Sequence, residues 1–313
     1  MYTPINPWRD DFVAVRGRNA EAPGATVQHP LKYRVQVWGT PTSASPPLVL
    51  LHGWMDVAAS FQFVVDALQT GRWLIAPDWR GFGQTQVPGV DTFWFPDYLA
   101  DLDALLDHYA PERPVDLMGH SMGGNIAMLY AGIRPKRVRR LINLEGFGMP
   151  ATRPAQAPAR YGQWLDQLRQ VHSGEMDMRS YDSLEAVARR LIKTNPRLAP
   201  ERAAWLAPHW ARETSPGQWQ IQGHPAHRIR SANLYRADEA QAVHACIEAP
   251  TLVIEAEDDS LALLWRGSYT RAQFHERLQV VRRLEVAQIP QAGHMLHHDQ
   301  PQAVAALVER FLA

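Results

Sequence analysis

Through its first half the chain alternates short β-branched or leucine-rich runs with longer amphipathic stretches, the pattern of strand and crossover helix in a mostly parallel sheet. Residues 13–16 and 33–38 predict an opening antiparallel pair. The Pro- and Ser-rich stretch 41–47 predicts a turn, and 48–51, 73–76, 115–118 and 141–144 predict buried strands. Residues 98–109 set Leu99, Leu102, Leu105 and Leu106 along one face of a helix and Asp101, Asp103 and Asp107 along the other. From about 150 to 240 the chain carries Pro-rich joints, several tryptophans and helix-like stretches such as 183–192, with no strand pattern. Strands return at 251–256 and 284–289, separated by a helical stretch at 268–278 and followed by a closing helix at 302–312. The predicted organisation is an α/β core in two parts, 1–149 and 241–313, interrupted by a helical lid at 150–240.

A chain of 313 residues can bury a substantial core. Lysine plus arginine (32) equal aspartate plus glutamate (32), so no net field draws in nucleic acid or an anionic membrane, and a small molecule is the expected partner. The one cysteine, Cys246, excludes an intrachain disulfide, and its neighbours Ala245 and Ile247 predict burial. The first residues carry no apolar run of the signal-peptide kind, and no stretch has the length of a membrane span, so a cytoplasmic location is expected.

The chemistry centres on Gly119-His120-Ser121-Met122-Gly123, between the strand 115–118 and a helix predicted over 122–133. In this strand–turn–helix setting the motif is a nucleophile elbow: a turn so sharp that the serine is strained and the flanking glycines avoid Cβ clashes. The amide of Met122 opens the helix and points at the place where a substrate oxygen becomes negative. The second donor is expected after 48–51, in His52-Gly53-Trp54, as the amide of Trp54. His52, at a strand end, more often fixes such a loop by hydrogen bonding than acts as a base. Asp78, opening Asp78-Trp79-Arg80-Gly81-Phe82-Gly83, is expected to cap backbone amides.

The base is expected on a late loop, and Gln291-Ala292-Gly293-His294 supplies His294. With His297 and His298 it forms an H-x-x-H-H string, but the string lies on a loop without an H-E-x-x-H helix, so no metal is expected. Two carboxylates are placed to orient the imidazole: Asp259 after 251–256 and Glu145 after 141–144, both keeping the order Ser, acid, His. Trp54, His120, Phe147 and Trp164 are the candidate pocket-lining residues. Trp205, Trp210 and Trp219 are equally explained as lid core.

Together these residues resemble the α/β-hydrolase superfamily from about Leu31 to the C-terminus. His52-Gly53-Trp54-Met55-Asp56, the elbow, Leu191-Ile192-Lys193-Thr194-Asn195 and Gly293-His294 resemble the serine hydrolase-like proteins. The segment from Leu144 through Glu145-Gly146-Phe147-Gly148-Met149 to Pro150 is similar to the haloalkane dehalogenases, where a glutamate at this place partners the histidine. Those enzymes use an aspartate nucleophile. With Ser121 in its place the resemblance implies acyl-group hydrolysis, an α/β-hydrolase fold with helices on both faces of the sheet, and no cofactor. Comparison with the serine hydrolase-like proteins leans to Glu145, and Asp259 stays in play. The expected function is a carboxylesterase-like serine hydrolase. The rivals are a carbon–carbon bond or lactone hydrolase using the same residues, and a ligand receptor built on the same scaffold.

Overall fold

The first strands pair because their faces alternate. In the computed structural model, which describes residues 2–15, 31–43 and 45–313, β1 (Arg9–Val15) and β2 (Leu31–Trp38) form an antiparallel ribbon. Arg16, the last residue of the first predicted strand, lies outside the described residues. There follow β3 (Leu48–Leu51), α1 (Gln62–Val65), β4 (Leu74–Pro77), α2 (Pro96–Tyr109), β5 (Val115–His120), α3 (Met122–Ile133) and β6 (Val138–Leu144). After an insertion the sheet resumes with β10 (Thr251–Ala256), α8 (Ser260–Trp265), α9 (Arg271–Leu278), β11 (Leu284–Ile289), α10 (Leu296–Asp299) and α11 (Pro301–Leu312). The insertion itself carries α4 (Ala157–His172), β7 (Ser180–Tyr181), α5 (Leu184–Thr194), α6 (Pro200–Trp210), β8 (Ala211–Ser215), β9 (Gln218–Ile221) and α7 (Ala237–His244).

The eight-stranded sheet runs β1-β2-β4-β3-β5-β6-β10-β11 and is parallel from β4 onward, with helices on both faces as the pattern predicts. Its central strands are continuous apolar runs because both faces are covered. Successive side chains point to opposite sides, so Leu48 and Leu50 of β3 enter one core and Val49 and Leu51 the other. The first core holds Val304, Val308 and Leu312 of α11. The second holds Tyr98, Leu102 and Leu105 of α2 with Ile126 and Tyr130 of α3.

The polar face expected of α2 needs correction at Asp101, which is fully buried. Asp101 falls three residues after Tyr98 and so lies on the inward stripe. There it accepts from Tyr33 Oη (2.7 Å) and Arg80 Nη2 (2.6 Å), with Asp97 on the guanidinium as well (2.8 Å). Cys246 is a second correction. It is exposed, just past the end of α7, where Ile247 takes the buried position instead.

Within 150–240 the structure adds what the pattern did not predict, a three-stranded antiparallel sheet ordered β7-β9-β8. The reason is compositional: β8 reads Ala-Arg-Glu-Thr-Ser and buries only Ala211, so no apolar alternation marks it. Gly217, with φ of +72°, supplies the left-handed residue of the turn into β9. A third core joins the insertion to the sheet domain, with Val57 and Phe63 packing on Leu191, Leu198 and Leu206. Among the described residues no helix is long and apolar enough to cross a membrane.

Two predictions follow from this packing. Asp101→Asn leaves the guanidinium of Arg80 under-neutralised in a buried site, and the loss in urea-unfolding free energy is expected at about 3 kcal/mol. A loss below about 1 kcal/mol would show that Asp97 alone neutralises Arg80. The second concerns buried imidazoles. Burial lowers His52 to about 4 and His227 and His298 to about 3, against 6.5 when free. Between these values and 6.5 the unfolded chain binds protons that the native rings refuse, so stability falls as pH drops. Each ring contributes a slope on the order of 1 kcal/mol per pH unit at most. Asp56, raised to about 6 by burial, works in the opposite sense from 3.8 to 6. The net expectation is a steep fall in the urea midpoint from pH 6.5 to 4; a flat profile would contradict it.

Candidate active site

The strand β5 ends in a turn that only small residues can make. A Cβ on Gly119 would lie 2.2 Å from the Gly123 carbonyl oxygen, and one on Gly123 would lie 2.0 Å from that of Leu51. Between them Ser121 adopts φ +51° and ψ −114°, a conformation that costs an L-residue on the order of 1–3 kcal/mol. The turn is held by Ser121 N donating to Leu144 O (2.8 Å), which continues the β5–β6 ladder past the strand end. Its effect is to lift Oγ above the carboxyl edge of the sheet, with α3 starting at the next residue. Met122 N is at the first helical position, where the pitch leaves amides without an intrahelical acceptor.

His294 comes from the loop after β11. Ser121 Oγ lies 3.0 Å from its Nε2, and Glu145 Oε2 lies 3.2 Å from its Nδ1. A carboxylate only accepts, so Nδ1 carries the imidazole proton and Nε2 faces the serine hydroxyl as an acceptor. Glu145, one residue beyond β6, is itself left-handed (φ +55°) and 1% exposed. Its second oxygen accepts from Ala256 N at 2.7 Å, so both oxygens are used. Asp259 is turned elsewhere: it caps α8 by accepting from Ala262 N at 3.0 Å. Its neighbour Asp258 pairs with Arg197 at 2.6 Å. The structure therefore brings Ser121, His294 and Glu145 together and leaves Asp259 out of that contact.

The loop after β3 approaches the elbow closely. A Cβ on Gly53 would lie 2.9 Å from His120 Nδ1 and 3.2 Å from Ser121 Cβ, so only glycine passes here. His52 fixes this loop: its Nδ1 donates to Gly53 O (2.7 Å) and its Nε2 accepts from Trp79 N (2.8 Å). Asp78 accepts from Ala58 N and Gln84 N and pairs with Arg34, holding the neighbouring loops. Trp54 is half-exposed, and its indole donates to His227 O of the insertion at 3.2 Å.

Two of the predicted pocket residues are corrected. His120 is 2% exposed and faces inward, with Nε2 donating to His294 O at 2.7 Å, because residues alternate sides along β5 and Ser121 takes the outward place. Phe147 is in the core, packed edge-on against Phe274 with Tyr269 Oη on its carbonyl. Trp164 lies partly buried on α4, a helix whose one buried residue is Arg160. Trp205, Trp210 and Trp219 pack against the third core.

The sequence reading missed His227. Its ring is stacked between Phe82 (3.8 Å) and Phe93 (3.7 Å), with Nε2 on Arg80 O, which joins the insertion to the loop beside Trp54. Nothing local in the sequence pairs residues so far apart. Donor atoms of Asp56, His120 and His297 lie within 4.8 Å of one another, all buried, and could face a cation. Asp56 Oδ2 and His297 Nε2 are 3.9 Å apart, wider than the about 3.4 Å between donors of a tetrahedral zinc ion, so the set fits zinc poorly.

Known proteins share this arrangement of chain. The model of the alpha/beta hydrolase fold family matches residues 46–301. The chain is 25% identical to a serine hydrolase-like protein of Danio rerio over 299 residues, 89% of this chain and 84% of that protein. It is 30% identical to the 2-hydroxymuconate semialdehyde hydrolase of Pseudomonas sp. (strain CF600) over 282 residues, 87% of this chain and 88% of that one. The thioesterase domain from the curacin biosynthetic pathway superposes with a TM-score of 0.78 at 21% identity, covering 97% of this chain and all of that domain. A family match over most of the length, joined to full-length relatives named as hydrolases, makes this chain a member of the alpha/beta hydrolase fold family, close to the serine hydrolase-like proteins.

Proposed function

We propose that the protein is a serine hydrolase of carboxylic esters or related small acyl compounds, working through an acyl-enzyme. Ser121 attacks the carbonyl carbon while His294 Nε2 takes its proton, and Glu145 holds the imidazole in the right tautomer and steadies the imidazolium. The amides of Trp54 and Met122 receive the developing oxyanion at the start of α3. Collapse expels the alcohol, which takes the proton back from His294, and water then repeats the sequence to release the acid. The observation that carries the reading is the continuous contact Ser121 Oγ to His294 Nε2 (3.0 Å) and His294 Nδ1 to Glu145 (3.2 Å). The residues named need no metal or organic cofactor for these steps. A cytoplasmic location is part of the same proposal, and a chain with one cysteine, which forms no intrachain disulfide, fits that reducing compartment.

A second reading is hydrolysis of a carbon–carbon bond or a lactone on the same residues, and one specific likeness favours its carbon–carbon form. The 30%-identical relative is named for hydrolysing 2-hydroxymuconate semialdehyde, and it aligns over nearly the whole chain. A panel of p-nitrophenyl acyl esters, β-lactones and 2-hydroxy-6-oxo-dienoates separates the readings. The first predicts the highest kcat/KM on an ester; a dienoate or lactone preferred by tenfold or more replaces it with the second.

Ser121→Ala is expected to lose turnover and fluorophosphonate labelling while its thermal midpoint stays within a few degrees of the parent. Retained ester hydrolysis in that variant overturns the reading. Glu145→Gln is expected to lower kcat about a thousandfold, since the amide no longer stabilises an imidazolium. Asp259→Asn should change kcat by less than about twofold, because asparagine caps a helix as well as aspartate does. The reverse outcome would transfer the acid role to Asp259.

A further inference from the structure

We propose that His120 is a positioning residue: its Nε2–H bond to the main-chain carbonyl of His294 clips the loop carrying the base to the turn carrying the nucleophile, and so sets the Ser121–His294 distance. The inference rests on the serine-hydrolase reading and adds to it a residue that touches neither substrate nor reacting atoms.

The chemistry of the contact leaves little freedom. His294 O can only accept, so the 2.7 Å bond requires the proton of His120 on Nε2 and leaves Nδ1 bare. That Nδ1 is buried without a hydrogen-bond partner. It faces the backbone of Gly53 and the ring of His297, whose centroid is 4.3 Å away. Burial also holds the ring well below its ordinary pKa, which keeps it neutral. If packing were the only role, a phenylalanine or leucine would fill the place without stranding a nitrogen. The one polar bond the ring makes is the bond to His294.

Position gives that bond its consequence. His120 is the last residue of β5 and precedes Ser121 directly, so its ring moves with the elbow. The His294 loop is also tied by Gly293 N to Asp299 (2.9 Å), by Asp258 N to Ala292 O (3.1 Å), by Gln291 N to Glu257 (2.7 Å), by Gln300 Nε2 to Gln291 O (3.3 Å) and, through the imidazole, to Glu145 (3.2 Å). None of these partners belongs to β5, so none of them fixes the loop directly to the strand that carries the nucleophile. The His120 bond is made at the backbone of the base itself. It also wedges against Gly53 of the loop that carries the Trp54 amide, so nucleophile, base and oxyanion donor are referenced to one ring.

The test compares two substitutions with the parent enzyme. His120→Phe keeps the ring shape and removes the donor; His120→Gln returns an amide N–H at the distance of Nε2. His120→Phe is expected to lower kcat on p-nitrophenyl esters about 10- to 100-fold, with KM changed by less than about threefold. Fluorophosphonate labelling of Ser121 should slow in parallel. His120→Gln is expected to recover most of both rates. A His120→Phe variant that folds and stays within threefold of the parent overturns the proposal, as does a stable glutamine variant no better than phenylalanine. Should neither variant fold, nitrogen-resolved imidazole NMR of the parent at pH 7 decides: the Nε2-protonated tautomer at His120 supports the clip, and an Nδ1-protonated or charged ring overturns it. A parent enzyme whose Ser121 resists the fluorophosphonate defeats the hydrolase reading instead, and the NMR result still decides the clip.

Discussion

Three backbones pass one another at the end of β5 more closely than side chains allow, and the site exists because glycines stand at each crossing. Gly119 lies against Gly123, Gly123 against the Leu51 carbonyl, and Gly53 against the elbow itself. Two of the non-glycine residues held at positive φ, Ser121 and Glu145, sit one step past the ends of neighbouring strands. Each is held by the ladder continuing beyond the strand: Ser121 N bonds Leu144 O, and Glu145 N bonds Ile254 O at 3.1 Å. Strain at one strand end is therefore held in place by hydrogen bonding to the next. The parallel register of β3, β5, β6 and β10 is what makes this possible, since it brings these ends to one edge.

Sequence was most informative where the chemistry is local. Ser121 between its glycines, strand before and helix after, can be read from consecutive residues, and so can His294 on the last loop before the closing helix. The alternation of apolar runs marked most strands because both faces of the sheet are covered. The acid was different. Glu145 and Asp259 follow adjacent strands at similar offsets, and which carboxylate reaches the imidazole depends on a left-handed backbone at Glu145 and a helix cap at Asp259. Neither is visible before the chain is folded.

The errors share a physical origin in faces. His120 and Phe147 lie close to Ser121 and Glu145 in sequence, yet strand alternation and the tight turn send them inward. Asp101 looked like a surface charge until Arg80 and Tyr33, from distant segments, arrived to neutralise it. Strand β8 was hidden because its residues after Ala211 are all exposed, which leaves no apolar alternation to read. His227 was invisible for the same reason as Arg80: its stacking partners are more than a hundred residues away.

The insertion leaves the sheet after β6 and returns at β10, and those two strands are direct neighbours, with Leu141 opposite Thr251. Its last helix, α7, packs on α3, where Val243 O closes over Gly132, and completes an ordinary crossover between parallel strands. The polypeptide between Glu145 and α7 thus starts and finishes at a fixed gate whose geometry belongs to the sheet. Segments of quite different length or shape could be grafted at that gate while the residues along the strand edge keep their places. Reshaping the insertion and keeping the strand edge beneath its two ends are, in this architecture, separable problems for evolution and for engineering.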